Sequence, residues 1–282
     1  MKPAAFTYHA PRSLDECVEL LGRLDADEVK LLAGGQSLVP LLNLRLARPG
    51  VVVDLGRVPG LRGIRLDGGV LRVGAMTTHV ELVESPVLRR AFPMIASAAR
   101  HIGYPAIRNR GTAGGSIAHA DPSAELPCLA VALDAELLTV GPDGGRTIRA
   151  ADFFVAHFVN VLRPDEVLTE IRFPPPGKGW AFEEFTRKSG DFALAEVAMD
   201  LDLLGSTVGR ARIAVGGAAA TPLRATVSES ALRGRNPADV DPVRIGAEVR
   251  RELCGEGSSE TCNLVETLAR RATINALSRL EN

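Results

Sequence analysis

The chain has 282 residues, room for one large domain or two modest ones, and its 46% hydrophobic and 24% charged residues describe a folded protein rather than a disordered one. A formal net charge of -1 and an aromatic content of 4% exclude both a strongly basic nucleic-acid binder and a stacking platform for single strands. No apolar run approaches the roughly 20 residues of a membrane span, and the first residues lack a signal-type stretch, so a cytoplasmic protein with no membrane span is expected.

Ser13 and Glu16 form a capping-box pattern opening a helix, with apolar Leu14, Cys17, Val18, Leu21 and Leu24 at helical spacing. Residues 29–33 and 51–53 read as short strands, the first running into Gly34-Gly35 and the second into Asp54. Residues 61–66 and 70–73 flank Asp67-Gly68-Gly69, a hairpin signal. Thr78 and Glu81 open a second capped helix that Pro86 limits, and residues 87–101 are helical in pattern with a break near Pro93. A further hairpin spans 135–140 and 146–149, and residues 167–173 form a strand.

Pro174-Pro175-Pro176-Gly177 can continue neither helix nor sheet, which places a domain boundary at 176/177 and predicts domains 1–176 and 177–282. Beyond it, 197–204 and 208–215 read as paired strands, and 225–233, 243–253 and 261–280 as helices. Strands and helices in irregular order predict an α+β protein. Cys17, Cys128, Cys254 and Cys262 show no zinc or iron–sulfur spacing and read as scattered thiols. The five histidines show no i, i+4 metal pair, and no catalytic residue can be assigned.

Two glycine-rich segments carry the chemistry. Leu32-Ala33-Gly34-Gly35-Gln36-Ser37 directly follows a strand, and Arg110-Gly111-Thr112-Ala113-Gly114-Gly115-Ser116 repeats the pattern of adjacent glycines and a hydroxyl. Such turns permit close approach, and successive amides can converge on an anion. Two of them meeting in space would suit a pyrophosphate. Neither a G-x-G-x-x-G nor a P-loop is present.

These two segments, together with Gly190-Asp191-Phe192-Ala193, Val73-Gly74-Ala75-Met76-Thr77-Thr78-His79 and His119-Ala120-Asp121-Pro122, resemble the medium, FAD-binding subunit of molybdenum hydroxylases, the carbon monoxide dehydrogenase and xanthine dehydrogenase family. The resemblance runs from Phe6 to about Pro222. It implies a vanillyl-alcohol-oxidase-type (PCMH-type) FAD-binding domain of two lobes followed by a smaller C-terminal α+β domain of the carbon monoxide dehydrogenase flavoprotein type. It implies FAD as cofactor, and as partners a small [2Fe-2S] subunit and a large molybdopterin subunit.

Carried over by position, the resemblance makes 33–37 the first pyrophosphate loop, with Leu32 before it, and 112–116 the second. It puts Ile117 under the flavin ring, Glu125 near the FAD sugar chain, Phe192 beside the isoalloxazine, and Lys188 toward the flavin or a partner. Glu184 stands where some relatives carry lysine. The function implied is electron transfer from partner clusters to an external acceptor. The alternatives are a stand-alone FAD-dependent oxidoreductase acting directly on a small molecule, and a flavin-free scaffold.

Overall fold

A computed structural model describes residues 2–26, 28–254 and 259–280. The N-terminal lobe is a parallel three-stranded sheet in the order β1 (Thr7–His9), β3 (Val51–Asp54), β2 (Val29–Leu32). Helix α1 (Leu14–Arg23) crosses over from β1 to β2, and α2 (Leu38–Asn43) crosses from β2 to β3. Helix α1 starts where Ser13 accepts from the Glu16 amide, while the Glu16 carboxylate accepts from the amide of Arg12, one residue earlier than a strict capping box. Its Cys17, Val18 and Leu21 pack on Val53 and Leu55.

The second lobe is an antiparallel five-stranded sheet with a helical layer. The chain adds β4 (Ile64–Asp67), β5 (Val70–Gly74), then α3 (His79–Glu84), α4 (Pro86–Ala91), α5 (Pro93–Ala98), α6 (Pro105–Arg108), α7 (Ala113–His119) and α8 (Glu125–Ala132). It returns through β6 (Glu136–Gly141), β7 (Gly144–Arg149), a small pair β8 (Phe154–Ala156) and β9 (Val159–Asn160), and β10 (Val167–Phe173). The sheet order is β4-β5-β10-β6-β7. The Thr78–Glu81 pattern holds: the Thr78 amide and hydroxyl both donate to the Glu81 carboxylate, at 2.8 and 2.7 Å. The helical run expected over 87–101 breaks at Phe92, where Pro93 opens a new helix. Leu71, Leu88, Phe92, Ile95, Ile117, Leu129, Leu137 and Phe153 fill the core between sheet and helices.

Past the prolines lie β11 (Gly179–Phe185), β12 (Ala195–Leu204), β13 (Thr207–Gly216) and β14 (Leu223–Arg224), an antiparallel sheet in that order, followed by α9 (Thr226–Leu232), α10 (Pro242–Cys254) and α11 (Glu260–Leu280). Strand alternation gives this sheet two different faces. Val197, Met199, Leu201, Ala211, Ile213 and Val215 join a core with Ile245, Val249, Val265, Leu268 and Ala272 of the two long helices. The other face turns toward the second lobe: Ala198 and Ala214 join the core of α8 and its neighbours. On that face Asp200, paired in register with Arg212, accepts from its guanidinium at 2.8 and 3.1 Å. Arg212 also reaches the Leu133 carbonyl and Asp134 just beyond α8. The cysteines depart from the reading as four separate thiols. Cys254 and Cys262 form a disulfide between the end of α10 and the start of α11, while Cys17 and Cys128 are buried free thiols.

Asp200 is wholly buried, and its hydrogen-bonded counter-charge is Arg212, with Arg210 farther off at 3.6 Å. Arg212→Leu removes the two guanidinium hydrogen bonds and leaves only the more distant Arg210 as a cation, so urea unfolding of the variant is expected to show a loss of about 3 kcal/mol, the low end for breaking a buried pair. A loss below about 1 kcal/mol, the range of an exposed pair, would contradict this role.

Candidate functional site

The two glycine segments meet. A Cβ built on Gly34 would lie 2.8 Å from both the Arg110 carbonyl carbon and the Gly111 Cα, so only glycine allows this backbone-to-backbone contact. The segment before α3 closes against the same place. Gly114 sits so tightly on Ala75 that a Cβ would come within 2.8 Å of its Cα, the Ala113 amide donates to the Thr77 carbonyl (2.8 Å), and the His79 amide to the Gly111 carbonyl (2.9 Å). Three distant stretches of chain are thereby fixed around one wall.

The two segments differ in structure. Residues 33–37 form an open turn with Gly35 at φ +74°, and no acceptor within the described residues takes the amides of Gly35, Gln36 and Ser37. The second segment, read from sequence as a turn, is instead the start of helix α7. Thr112 is its N-cap and its hydroxyl accepts from the Gly115 amide at 3.1 Å, while the amides of Ala113, Gly114 and Ser116 bond to Thr77, Ala75 and Thr112. The first segment therefore supplies free donors. The second supplies close approach at Gly115 and the Ser116 hydroxyl.

Together they border a cavity of about 730 Å³, within the ~300–1,000 Å³ range of small-molecule and cofactor sites. Of the residues singled out from sequence, Ala33, Gly34, Gly35, Gln36, Ser37, Thr112, Gly114, Gly115, Ser116, Glu125 and Phe192 line it. Leu32 ends β2 behind the turn, and Ala113 and Ile117 are buried in the lobe core on the far side of α7. Lys188 is exposed and off the cavity wall; its carbonyl accepts from the Asp191 amide, in the loop that carries the exposed Phe192. The wall also includes Lys30, His79, Tyr104, Phe158 and Asn160, which sequence reasoning did not select. Lys30, just ahead of the first glycine segment, and His79, at the end of the Val73–His79 motif, had a signal in the sequence but were given no role.

These features fit a dinucleotide. The free amides at 35–37, the Lys30 ammonium and the Ser37 and Ser116 hydroxyls suit a pyrophosphate, and the rest of the wall is largely apolar. The loop at 100–103 is pinned by the Arg108 guanidinium, which donates to the carbonyls of Arg100, Ile102 and Gly103 at 3.2, 3.0 and 2.6 Å. His79 is buried, its Nδ1 has no partner within the described residues, and its pKa is pushed down to about 4 by burial and by nearby Arg108. Glu125, at the first turn of α8, is pushed up to about 8, chiefly by burial and also by nearby Glu184 and Asp121.

An unfolded-state histidine takes up its proton near pH 6.5, whereas His79 does so only near 4 in the folded chain. The unfolded state therefore binds more protons at this site between these values, and the contribution of His79 to stability is lost as pH falls from about 6.5 to about 4. His79→Gln should flatten that part of the stability profile of the cofactor-free protein. An unchanged slope in chemical denaturation across the window would refute the assignment.

Comparison with known proteins bears on the same residues. The family model for the FAD binding domain in molybdopterin dehydrogenase matches residues 4–176, and that for the CO dehydrogenase flavoprotein C-terminal domain matches 180–256. The carbon monoxide dehydrogenase medium chain of Hydrogenophaga pseudoflava is 44% identical over 83% of this chain and 82% of its own. The nicotine 6-hydroxylase medium subunit of Paenarthrobacter nicotinovorans is 40% identical over 99% of this chain and 100% of its own. Among solved structures, carbon monoxide dehydrogenase from H. pseudoflava superimposes with a TM-score of 0.92 at 39% identity, covering 99% of both chains. Quinoline 2-oxidoreductase from Pseudomonas putida 86 superimposes with a TM-score of 0.89 at 35% identity, again over 99% of both. The chain belongs to the FAD-binding medium subunits of the molybdenum hydroxylases, the carbon monoxide dehydrogenase and xanthine dehydrogenase family.

Proposed function

We propose that this chain holds FAD in the cavity between its lobes and works as the electron-transfer subunit of a three-component complex. A small subunit with [2Fe-2S] clusters delivers electrons, and a large molybdopterin subunit oxidises the substrate. The observation that carries the reading is the cradle itself: free amides at 35–37 held against the glycine-lined start of α7, at the edge of a cavity of about 730 Å³.

Bound there, the flavin supplies two-electron redox chemistry that can be entered one electron at a time. The chain's residues bind and orient it. Residues 35–37, Ser116 and Lys30 hold the pyrophosphate, Glu125 faces the sugar chain, and Phe192, on the 188–192 loop, flanks the isoalloxazine. The names of the relatives support placing the substrate elsewhere. Relatives at 35–44% identity, two medium subunits and a beta subunit, carry the names of enzymes for carbon monoxide, nicotine and caffeine, which share no chemistry that one pocket would read. The cysteines are either paired with each other or buried singly, so within the described residues they are not assembled as cluster ligands.

The purified chain should bind FAD non-covalently and release it intact in acid. In Gly115→Val the new side chain points at Thr112 Oγ1, 2.8 Å from the Cβ position, and at Ala33. It should weaken FAD by roughly a hundredfold, about 2.7 kcal/mol, read by flavin fluorescence titration, while circular dichroism stays near wild type. Undiminished affinity would remove this wall from the site. Steady-state turnover gives the second test. The chain alone should not oxidise the substrate of its complex, and co-expression with both partners should restore activity. Rapid turnover of a specific small molecule by the isolated chain would overturn the electron-transfer reading.

A further inference from the structure

The face of β12 that meets the second lobe carries two buried carboxylates in very different company. Asp200 has the Arg212 guanidinium opposite it. Four residues earlier, and two cross-strand pairs along the same face, Glu196 is paired in register with Gly216, and its carboxyl group fills the space a side chain there would take. Glu196 is wholly buried, and within the described residues neither of its oxygens takes a hydrogen bond from an N–H or O–H donor; its polar neighbour is the Cys128 thiol. On its other side it is in register with Glu184 of β11. Side chains directly opposite in an antiparallel pair stand about 5 Å apart at Cβ, so two acids face each other in the interior. Glu183, on the opposite face, is by contrast met by Arg271 and Asn275 of α11 at 2.9 and 2.6 Å.

The acids lead in two directions. Toward solvent, Glu184 is 3.1 Å from Nδ1 of His101, whose side chain is 43% exposed and packs edge-on against Phe182. Toward the cavity, Glu196 lies among Glu125, Asp121 and the Cys128 thiol, which follows Glu125 by one turn of α8. Glu125 and Asp121 are on the cavity wall. The titratable groups facing this region are therefore His101 ahead of α6, Asp121 between α7 and α8, Glu125 and Cys128 on α8, and Glu184 and Glu196 on the sheet, with Glu183 acting on His101 from the far face.

We propose that His101, Glu184, Glu196 and Glu125 form a proton path between solvent and the cofactor cavity. The proposal rests on the cavity holding FAD, as argued above. Reduction of the cofactor consumes two electrons and two protons (FAD + 2e⁻ + 2H⁺ → FADH2). Iron–sulfur donors bring electrons alone, so the protons must come through this chain or its solvent. A buried carboxyl group without a cation stays protonated, and burial together with Glu125 and Glu184 holds Glu196 well above the usual carboxylate range. It can pass its proton to Glu125 and be refilled from Glu184. The Glu184 contact raises the pKa of His101, keeping an exchangeable proton at the surface end. Packing alone would be served as well by glutamine or an apolar residue.

The test uses the FAD-loaded protein in weak buffer with a pH indicator, mixed rapidly with reduced methyl viologen (FAD + 2MV⁺ + 2H⁺ → FADH2 + 2MV²⁺), so that electrons arrive without protons. In the wild type, proton uptake should keep pace with bleaching of the flavin. Glu196→Gln keeps the shape and removes the acid, and should slow uptake by roughly a hundredfold, the scale of a positioned proton-transfer group. His101→Ala should slow it similarly, and added imidazole should restore it, which a purely structural role would not produce. A second readout needs no cofactor. Glu125 and Glu196 hold protons in the folded chain that the unfolded chain has released above about pH 4.5. Their contribution to stability should therefore fall as pH rises from about 4.5 to about 8, opposite in sign to that of His79, and the difference between wild type and Glu196→Gln should show that fall. Wild-type uptake in Glu196→Gln, absence of imidazole rescue, or a pH-stability profile unchanged by Glu196→Gln each overturns the path. A chain that stays colourless with added FAD overturns the cofactor reading on which the path rests, and is distinguished before any proton is measured.

Discussion

The site depends on one backbone contact, the approach of Gly34 to the Arg110–Gly111 peptide. A methyl group at 34 would sit inside the van der Waals radius of that peptide. Because nothing intervenes, the end of a parallel strand in one lobe is held directly against the start of α7 in the other. The 75–79 segment locks the pair, through Gly114 on Ala75 and through the Ala113–Thr77 and His79–Gly111 hydrogen bonds. A wall made of backbone has few rotamers to lose and cannot slide. It presents amides at fixed positions, which is what recognition of a phosphate needs before any side chain is considered.

Much of this was legible in the sequence, and the parts that were not share a cause. The strand before Gly34-Gly35, the caps at Ser13 and Thr78 and the break at Pro93 are local signals, and local physics decides them. The 112–116 segment misled because glycine disfavours helix interiors by about 1 kcal/mol relative to alanine, so Gly114-Gly115 reads as a turn. The tertiary demand for room against Ala75 overrides that preference, and Thr112 supplies the cap. Helix α8 has every residue from Glu125 to Ala132 buried, so it carries no amphipathic stripe by which to be found. The Cys254–Cys262 bond depends on how α10 and α11 come together, a relation that spacing alone does not encode. His79, Tyr104 and Asn160 reach the cavity from three separate segments, and only the fold brings them together.

The sheet of the C-terminal domain explains why a chain whose candidate cofactor cavity is lined mainly by the first two lobes keeps a third layer. One face is committed to α10 and α11, and alternation leaves the other to cover α8. That second face is polar at both ends of its stripe. At one end the Asp200–Arg212 pair ties the sheet to Leu133 and Asp134, fixing the docking angle by hydrogen bonds as well as by area. At the other end the Gly217 amide donates to the Pro122 carbonyl at 2.7 Å, anchoring the loop that leads into Glu125. The position of a cavity-wall carboxyl is thus set by a domain that contributes few residues to the cavity itself.

This arrangement also bears on which parts of the protein can change without loss of its role. At Gly34, Gly111 and Gly114 the turn at 33–37, the 110–111 peptide and the start of α7 are coupled by contacts that leave no space for a side chain, so these three positions are the least free to change. In the 188–192 loop the constraint falls on Gly190, which at φ +79° packs on Tyr104 and the Gly103 backbone, while Phe192 stands largely in solvent at the edge of the cavity. If the cofactor's pyrophosphate end is held by the rigid wall and its redox end lies under this loop, adaptation to a new acceptor or partner would fall on the loop and leave the cradle untouched. Such a division is compatible with one medium-subunit fold serving enzymes named for substrates as different as carbon monoxide, nicotine and quinoline.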